Sequence, residues 1–170
     1  EILNRSILSD HPGSRHMGPV RGLPERFYSP ERRYTASGKY FATMWHDAKG
    51  ENADKLKALA NEFGREAGLF ESLNVEPVKK SVRGSPLKVS IERNGKEFFL
   101  NQVGVGVSQV VPVLVELIFE AGGRQHAAVL LQQPELHLHP VAQAAFGSFL
   151  FRLRESLPGL IVETHSNFLI

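Results

Sequence analysis

Val129–Pro140 reads VLLQQPELHLHP. An apolar run ends in two glutamines, a proline turns the chain, and Glu135, His137 and His139 alternate behind it. Ala127–Leu131 is unbroken apolar sequence, the pattern of a strand buried on both faces of a parallel sheet. The polar residues that follow fall where open α/β sheets carry their chemistry, outside the carboxyl ends of the strands.

Outward from this strand, the pattern is loop, helix, strand, helix, strand. Val141, Ala145, Phe149 and Leu153 recur at four-residue spacing and predict a helix over 141–157. Pro158-Gly159 breaks it, and Leu160–Val162 is the next buried strand, ending at Glu163-Thr164-His165-Ser166. Strand, helix, strand implies a right-handed parallel crossover. Upstream, Val111, Leu114, Val115, Leu117 and Ile118 predict a helix over 108–121, with Pro112 near its first turn and Gly122-Gly123 at its end. Leu87, Val89 and Ile91 alternate with polar residues, and Asn94-Gly95 marks a tight turn. These predict a β-hairpin over 82–100. Leu56, Leu59, Ala60, Phe63 and Ala67 predict an amphipathic helix over 52–69, capped by Asn52 or Asp54 and stopped at Gly68. Residues 1–50 show little periodicity, and only a short strand near 16–20 is expected there. The fold class is α/β, with residues 1–100 leading into a core half over 101–170.

The whole chain sets outer bounds. Its 170 residues suit one ordinary domain, and 20 basic against 18 acidic residues give no charge signature for nucleic acid. Without cysteine, disulfides and thiolate metal sites are excluded. No signal peptide and no membrane-length apolar run is visible, so a cytoplasmic setting without a membrane partner is expected. The start at Glu1 and the apolar end at Ile170 suggest a piece of a longer protein.

Several segments can carry chemistry. Gly104, Gly106, Ser108 and Gln109 open a helix, where free N–H groups and a hydroxyl suit phosphate oxygens. A plain glycine turn with Ser108 as N-cap explains them equally well. Glu135, His137 and His139, joined by His165, offer a metal-ligand set if the backbone stays extended. Histidines bonded locally in a turn are the commoner outcome. Arg15, Arg21, Arg26, Arg32 and Arg33 form the one basic cluster to weigh for DNA, with solvated loop arginines as the leading alternative.

Three motifs in this order resemble the C-terminal half of an ABC/SMC-type ATPase head, and more closely the OLD-like AAA family ATPases. Val103–Gln109 (VGVGVSQ) is similar to the ABC signature, Leu130–Pro140 to the Walker B strand, and Glu163–Ser166 to the switch-histidine segment. The resemblance implies a partial P-loop NTPase head that uses ATP and Mg2+ and works as a head-to-tail homodimer. A DNA, nuclease or effector partner and a part in anti-phage defence are further implications. Gly104, Gly106, Ser108 and Gln109 would then contact the γ-phosphate of ATP on the opposite subunit. Gln132 would take the place of the magnesium acid, Gln133 that of the general base, and His165 that of the γ-phosphate sensor. Glu135, His137, His139 and Pro140 would form a dimer-facing loop. Two departures stand out. No G-x-x-x-x-G-K-[ST] loop is present, and Gln132 replaces an acid. The chain by itself is therefore expected to be inactive, and Gln132→Glu in a longer protein is expected to raise ATP turnover. The rivals are a dimerisation module without turnover and a His/Glu metal-dependent hydrolase.

Overall fold

A computed structural model describes residues 14–19, 21–30, 40–122, 128–157 and 159–169. Along the chain the elements are β1 (Ser14–Met17), α1 (Phe41–Asp47), α2 (Gly50–Glu66), β2 (Ser72–Pro77), β3 (Leu87–Arg93), β4 (Lys96–Phe99), α3 (Val105–Ala121), β5 (Ala128–Gln132), α4 (Pro140–Leu153) and β6 (Leu160–Glu163). They build a parallel sheet of order β1-β5-β6 and an antiparallel sheet of order β2-β3-β4. Gly123, Ala127 and Pro158, and the arginines at 32 and 33, lie outside the described residues.

The hairpin forms at the expected turn. Asn94 and Gly95 both take positive φ, 52° and 68°, as a two-residue turn of this type requires. It gains a third strand, because β2 pairs with β3 from Leu87 to Glu92.

The ends of α2 differ from expectation. It begins at Gly50, so Asn52 and Asp54 lie inside it, and Lys49 at the N-cap makes no side-chain bond. Its stop is as expected, with Gly68 at a φ of +67°. Gly64 allows the chain to fold straight back, since a Cβ there would lie 2.7 Å from the Phe70 carbonyl oxygen.

Helix α1 was not legible. Phe41, Ala42, Thr43, Met44 and Trp45 are all buried, so this short helix has no polar face to create a period. Tyr28 meets Phe41 edge-on at 5.2 Å between ring centroids. The region read as core-poor therefore supplies core.

Helix α3 begins three residues earlier than expected, at Val105, and is buried on nearly every side from Val107 to Ile118. Pro112 thus falls in the helix interior rather than near its first turn. It has no N–H to give the Ser108 carbonyl, one hydrogen bond fewer in the ladder.

One core cluster joins residues from both halves of the chain, from Met17 through Phe63 and Leu114 to Phe149 and Leu157. At its centre Phe63 lies 5.8 Å from Phe146 and 5.5 Å from Phe149.

Register fixes what each face of the parallel sheet carries. Arg15 pairs with Val129, Met17 with Leu131, and Leu131 with Val162, and this face meets the core. His16 pairs with Leu130 and Leu130 with Ile161 on the opposite face. Among the described residues that face is thinly covered toward β6: Leu130 on the central strand is 8% exposed, but Ile161 is 60% exposed, although the sequence pattern predicts a buried strand. The topology explains why. From β1 to β5 to β6 the chain moves one way across the sheet, and right-handed crossovers put every connection on the same side. A parallel sheet normally has both faces covered.

Candidate functional site

The polar ends of β5 and β6 and residues of β1 meet on the thinly covered face. His16 Nε2 lies 3.0 Å from Gln132 Oε1, and Gln132 Nε2 donates to Glu163 Oε2 at 2.9 Å. A carboxylate only accepts, so the amide NH2 must face Glu163 and the amide oxygen must face a protonated His16 nitrogen. Both ends of Gln132 are thereby engaged. The expectation that Gln132 offers its oxygen to a magnesium ion does not fit this geometry.

After β5 the chain turns sharply. Gln133 has a φ of +44° and its N–H donates to the Glu163 carbonyl at 2.8 Å. Leu136 N–H returns to the Gln133 carbonyl and Leu138 N–H to that of Glu135. His137 takes a φ of +69°, so the backbone is not extended here. His137 and His139 are exposed while Leu138 between them is buried. Glu135 is 7% exposed, and its Oε1 accepts the His165 N–H at 2.9 Å. One of its carboxylate oxygens is therefore engaged with the β6 end. Among the described residues no group of three histidines or carboxylates is placed to hold a metal ion. The Glu135, His137, His139 and His165 ligand set is not assembled.

The start of α3 packs on this turn. A Cβ at Gly106 would lie 2.6 Å from the His137 carbonyl oxygen, closer than any real Cβ contact. Gly106→Ala should therefore displace the turn. Alanine gains up to about 1 kcal/mol in helix propensity. The overpacking costs about 1–3 kcal/mol and should win. Urea denaturation should show a net loss, with chemical-shift changes centred on His137 and Leu138. Unchanged shifts there would contradict the contact.

Ser108 is buried and its hydroxyl donates to the Val105 carbonyl at 3.1 Å, while its N–H donates to the Gly104 carbonyl. It stands inside the first turns of α3 and is not the N-cap, which is Gly104. Gln109 is buried as well, donating to the Gly22 carbonyl at 3.3 Å and accepting from Arg21 Nη1 at 3.4 Å through its own carbonyl. Neither side chain reaches outward in this chain. What the segment presents is backbone at exposed Gly104 and Val105, with the first free N–H groups of a long helix.

Arg21 and Arg15 are not solvated loop arginines. Burial pushes the Arg21 guanidinium down to about 10, against the opposing pull of Glu135 and Glu116. Its Nε and the Oε2 of Glu135 are buried atoms without a hydrogen-bond partner. Arg15 Nη2 lies 2.9 Å from Glu116 Oε2 in a buried pair. Of the arginines weighed for DNA, only Arg26 among the described residues is exposed, with its guanidinium over the Phe27 ring.

Downstream, Ser166 Oγ lies 2.6 Å from Gln143 Oε1, and Gln143 Nε2 donates to the Leu138 carbonyl. Together with the Glu135 bond this ties the His165 segment to the turn and to α4. His165 is left exposed at the sheet edge. The glycine segment, the β5 end and the β6 end are thus in contact with one another. His16 and Gln143 are the site residues that sequence reasoning missed, while Arg21 was weighed only in the basic cluster and Glu163 was quoted only as part of the downstream motif. Glu163 had a signal, because it ends the strand beside β5.

No curated protein sequence matches the chain. Among solved structures, an Smc head bound to the C-winged helix domain of ScpA aligns with a TM-score of 0.56 at 8% identity, over 78% of this chain and 43% of that one. A structure described as showing ATP-driven dimerization and DNA stimulated activation of SMC ATPases aligns with a TM-score of 0.53 at 10% identity, over 68% and 70%. The Smc head of Pyrococcus furiosus with an extended coiled coil gives 0.53 at 6% identity, over 68% and 29%. At such identities the likeness is one of fold, that of a P-loop NTPase head, and the chain spans less than half the length of the first of them. Among the described residues no helix is long and apolar enough to cross a membrane. A family model described as "AAA domain, putative AbiEii toxin, Type IV TA system" matches residues 21–170, nearly the whole chain, and the chain belongs to that AAA family.

Proposed function

We propose that this chain supplies the signature, strand-end and switch-histidine half of an ATP-binding head, and that a strand-loop-helix unit carrying the phosphate loop completes it. The observation that carries this reading is the thinly covered sheet face. A helix can lie on it only if its connection runs the other way across the sheet, from a strand beyond β6 back to β1. A unit of that kind puts its helix N-terminus beside Gln132, Glu163 and His165, and a helix N-terminus there favours phosphate. Mg2+ bound with ATP neutralises phosphate charge as it reorganises.

Their placement supports a role for each of this chain's residues in that head. Exposed His165 at the end of β6 reaches the terminal phosphate. Gly104 and Val105 present backbone N–H groups to nucleotide held by a second head, so that two heads close head to tail. Glu135, His137, His139 and Pro140 lie on the turn that faces the partner in that dimer. Gln133 is an amide and cannot take a proton from water, so ATP binding and closure outpace hydrolysis. A cytoplasmic setting and a downstream effector belong to the same reading.

Isothermal titration tests it. The chain alone should bind ATP no more tightly than about 1 mM. The same chain joined to a unit with a G-x-x-x-x-G-K-[ST] loop should bind at least about a hundredfold more tightly, and sedimentation should show dimers with ATP. Tight ATP binding by the chain alone, or none by the completed head, would refute this function.

A further inference from the structure

We propose that Glu163 is the carboxylate that anchors the divalent cation in this chain, one strand away from position 132. The inference rests on the head reading above.

Gln132 is spent on its neighbours. Its oxygen faces His16 at 3.0 Å and its nitrogen faces Glu163 at 2.9 Å. A metal ion drawn to the amide oxygen would have to displace a histidine N–H donor. Glu163 is different. It is exposed, it ends β6, and the register sets it directly beside Gln132. Its Oε2 lies one hydrogen-bond length from the amide, so a negative charge sits against the spot where a side-chain acid at 132 would place one. The other carboxylate of these segments, Glu135, is buried and turned toward the His165 N–H and the Arg21 charge.

The chemistry of the ion agrees with a single acid. Mg2+ keeps several waters and takes one or two carboxylates with substrate phosphates. Glu163 supplies the carboxylate on the thinly covered face, where the phosphates are expected. Gln132 then serves as a positioning residue. Its NH2 fixes one carboxylate oxygen of Glu163, and His16 fixes the amide. Loss of such an outer partner costs about 10–100-fold in metal affinity.

Position 132 also changes meaning. Gln132→Glu sets two carboxylates in contact at a pair distance where like charges repel. The single replacement therefore does not restore an acid in working order, contrary to what the resemblance to the family suggests. Moving the acid does: Gln132→Glu with Glu163→Gln keeps one carboxylate and one amide, exchanged across the β5–β6 pair.

Mn2+ is the probe, and the whole 170-residue chain is the sample. Paramagnetic broadening should be strongest at the Gln132 side-chain amide and the His16 and His165 rings. Glu163→Gln should raise the Mn2+ concentration needed for half-broadening at least about tenfold. Gln132→Glu/Glu163→Gln should bring it back to within about threefold of the original chain. Amide spectra of each variant show whether the fold is retained, and Glu163 is exposed enough for it to be.

Broadening that survives Glu163→Gln, or that centres on Glu135, overturns the proposal. So does a double variant no better than Glu163→Gln alone. Because the probe is the cation without nucleotide, the two claims fail separately. A completed head that binds no ATP removes the function and leaves the Mn2+ result standing. A head that binds ATP while Glu163→Gln changes nothing removes Glu163 and leaves the function.

Discussion

Phe63→Ala is expected to cost about 3–5 kcal/mol of folding stability. The side chain is fully buried and meets Phe146 nearly edge-on, at 82° between ring planes, and Phe149 at 57°. Truncation removes the transfer energy of the ring, leaves a cavity among two other rings, and ends the aromatic edge contacts, themselves about 0.5–1.5 kcal/mol each. These rings bring α2 and α4 together, so the loss falls where the two halves of the chain join. A domain of this size is stable by about 5–15 kcal/mol, so the variant should be close to unfolding at body temperature. At about 2–4 °C for each kcal/mol, the melting temperature should fall by about 6–20 °C. Phe151→Ala is the control. That ring is 66% exposed under the Arg154 guanidinium, and its loss should stay within about 0.5 kcal/mol. Equal effects at the two positions would rule out this core.

Glu116→Ala should cost about as much, 3–5 kcal/mol, for an electrostatic reason. Its carboxylate faces the buried Arg15 guanidinium at 2.9 Å, and the two side chains are only 4% and 10% exposed. Burial raises the Glu116 pKa, while the charge and hydrogen bond of Arg15 and the nearby Arg21 charge oppose that rise. The Glu120 charge acts in the same direction as burial, so the balance is shared with groups outside the pair. Removing the acid alone takes a charged hydrogen-bond partner from a guanidinium held away from water. Replacing both, as Arg15→Met with Glu116→Leu, should be neutral or stabilising by about 1–4 kcal/mol. Denaturant titration of the single and double variants measures the difference. If the double variant loses as much as Glu116→Ala, the cost comes from packing around α3 and not from the broken ion pair.

Local pattern carried much of this structure. The β5 strand, the 82–100 hairpin turn and the long helices were legible because period and turn chemistry are properties of neighbouring residues. Helix α1 was not, since five consecutive buried side chains leave no alternation to detect. The exposure of Ile161 was hidden for the opposite reason: its sequence reads as buried, and only the direction of the crossovers explains why, among the described residues, the face beside it is thinly covered. The three motif segments were found by order and spacing. Their wiring was not, because His16 reaches Gln132 and Arg21 reaches Gln109 across long stretches of chain. Single-residue identity also misled at Ser108 and Arg21, whose polar groups suggest a surface that the fold does not give them.

Gly106 has no side chain to stand between α3 and the His137 carbonyl. Two backbones in contact have no rotamer with which to take up slack. Interiors packed at such density pass displacement on rather than absorb it. A small slide or roll of α3 must therefore carry the His137 carbonyl along, and with it the exposed histidines of the turn. The glycine makes a stiff lever of two segments more than thirty positions apart in the chain. Movement of the helix toward the turn therefore meets the His137 carbonyl directly, with no side chain between them.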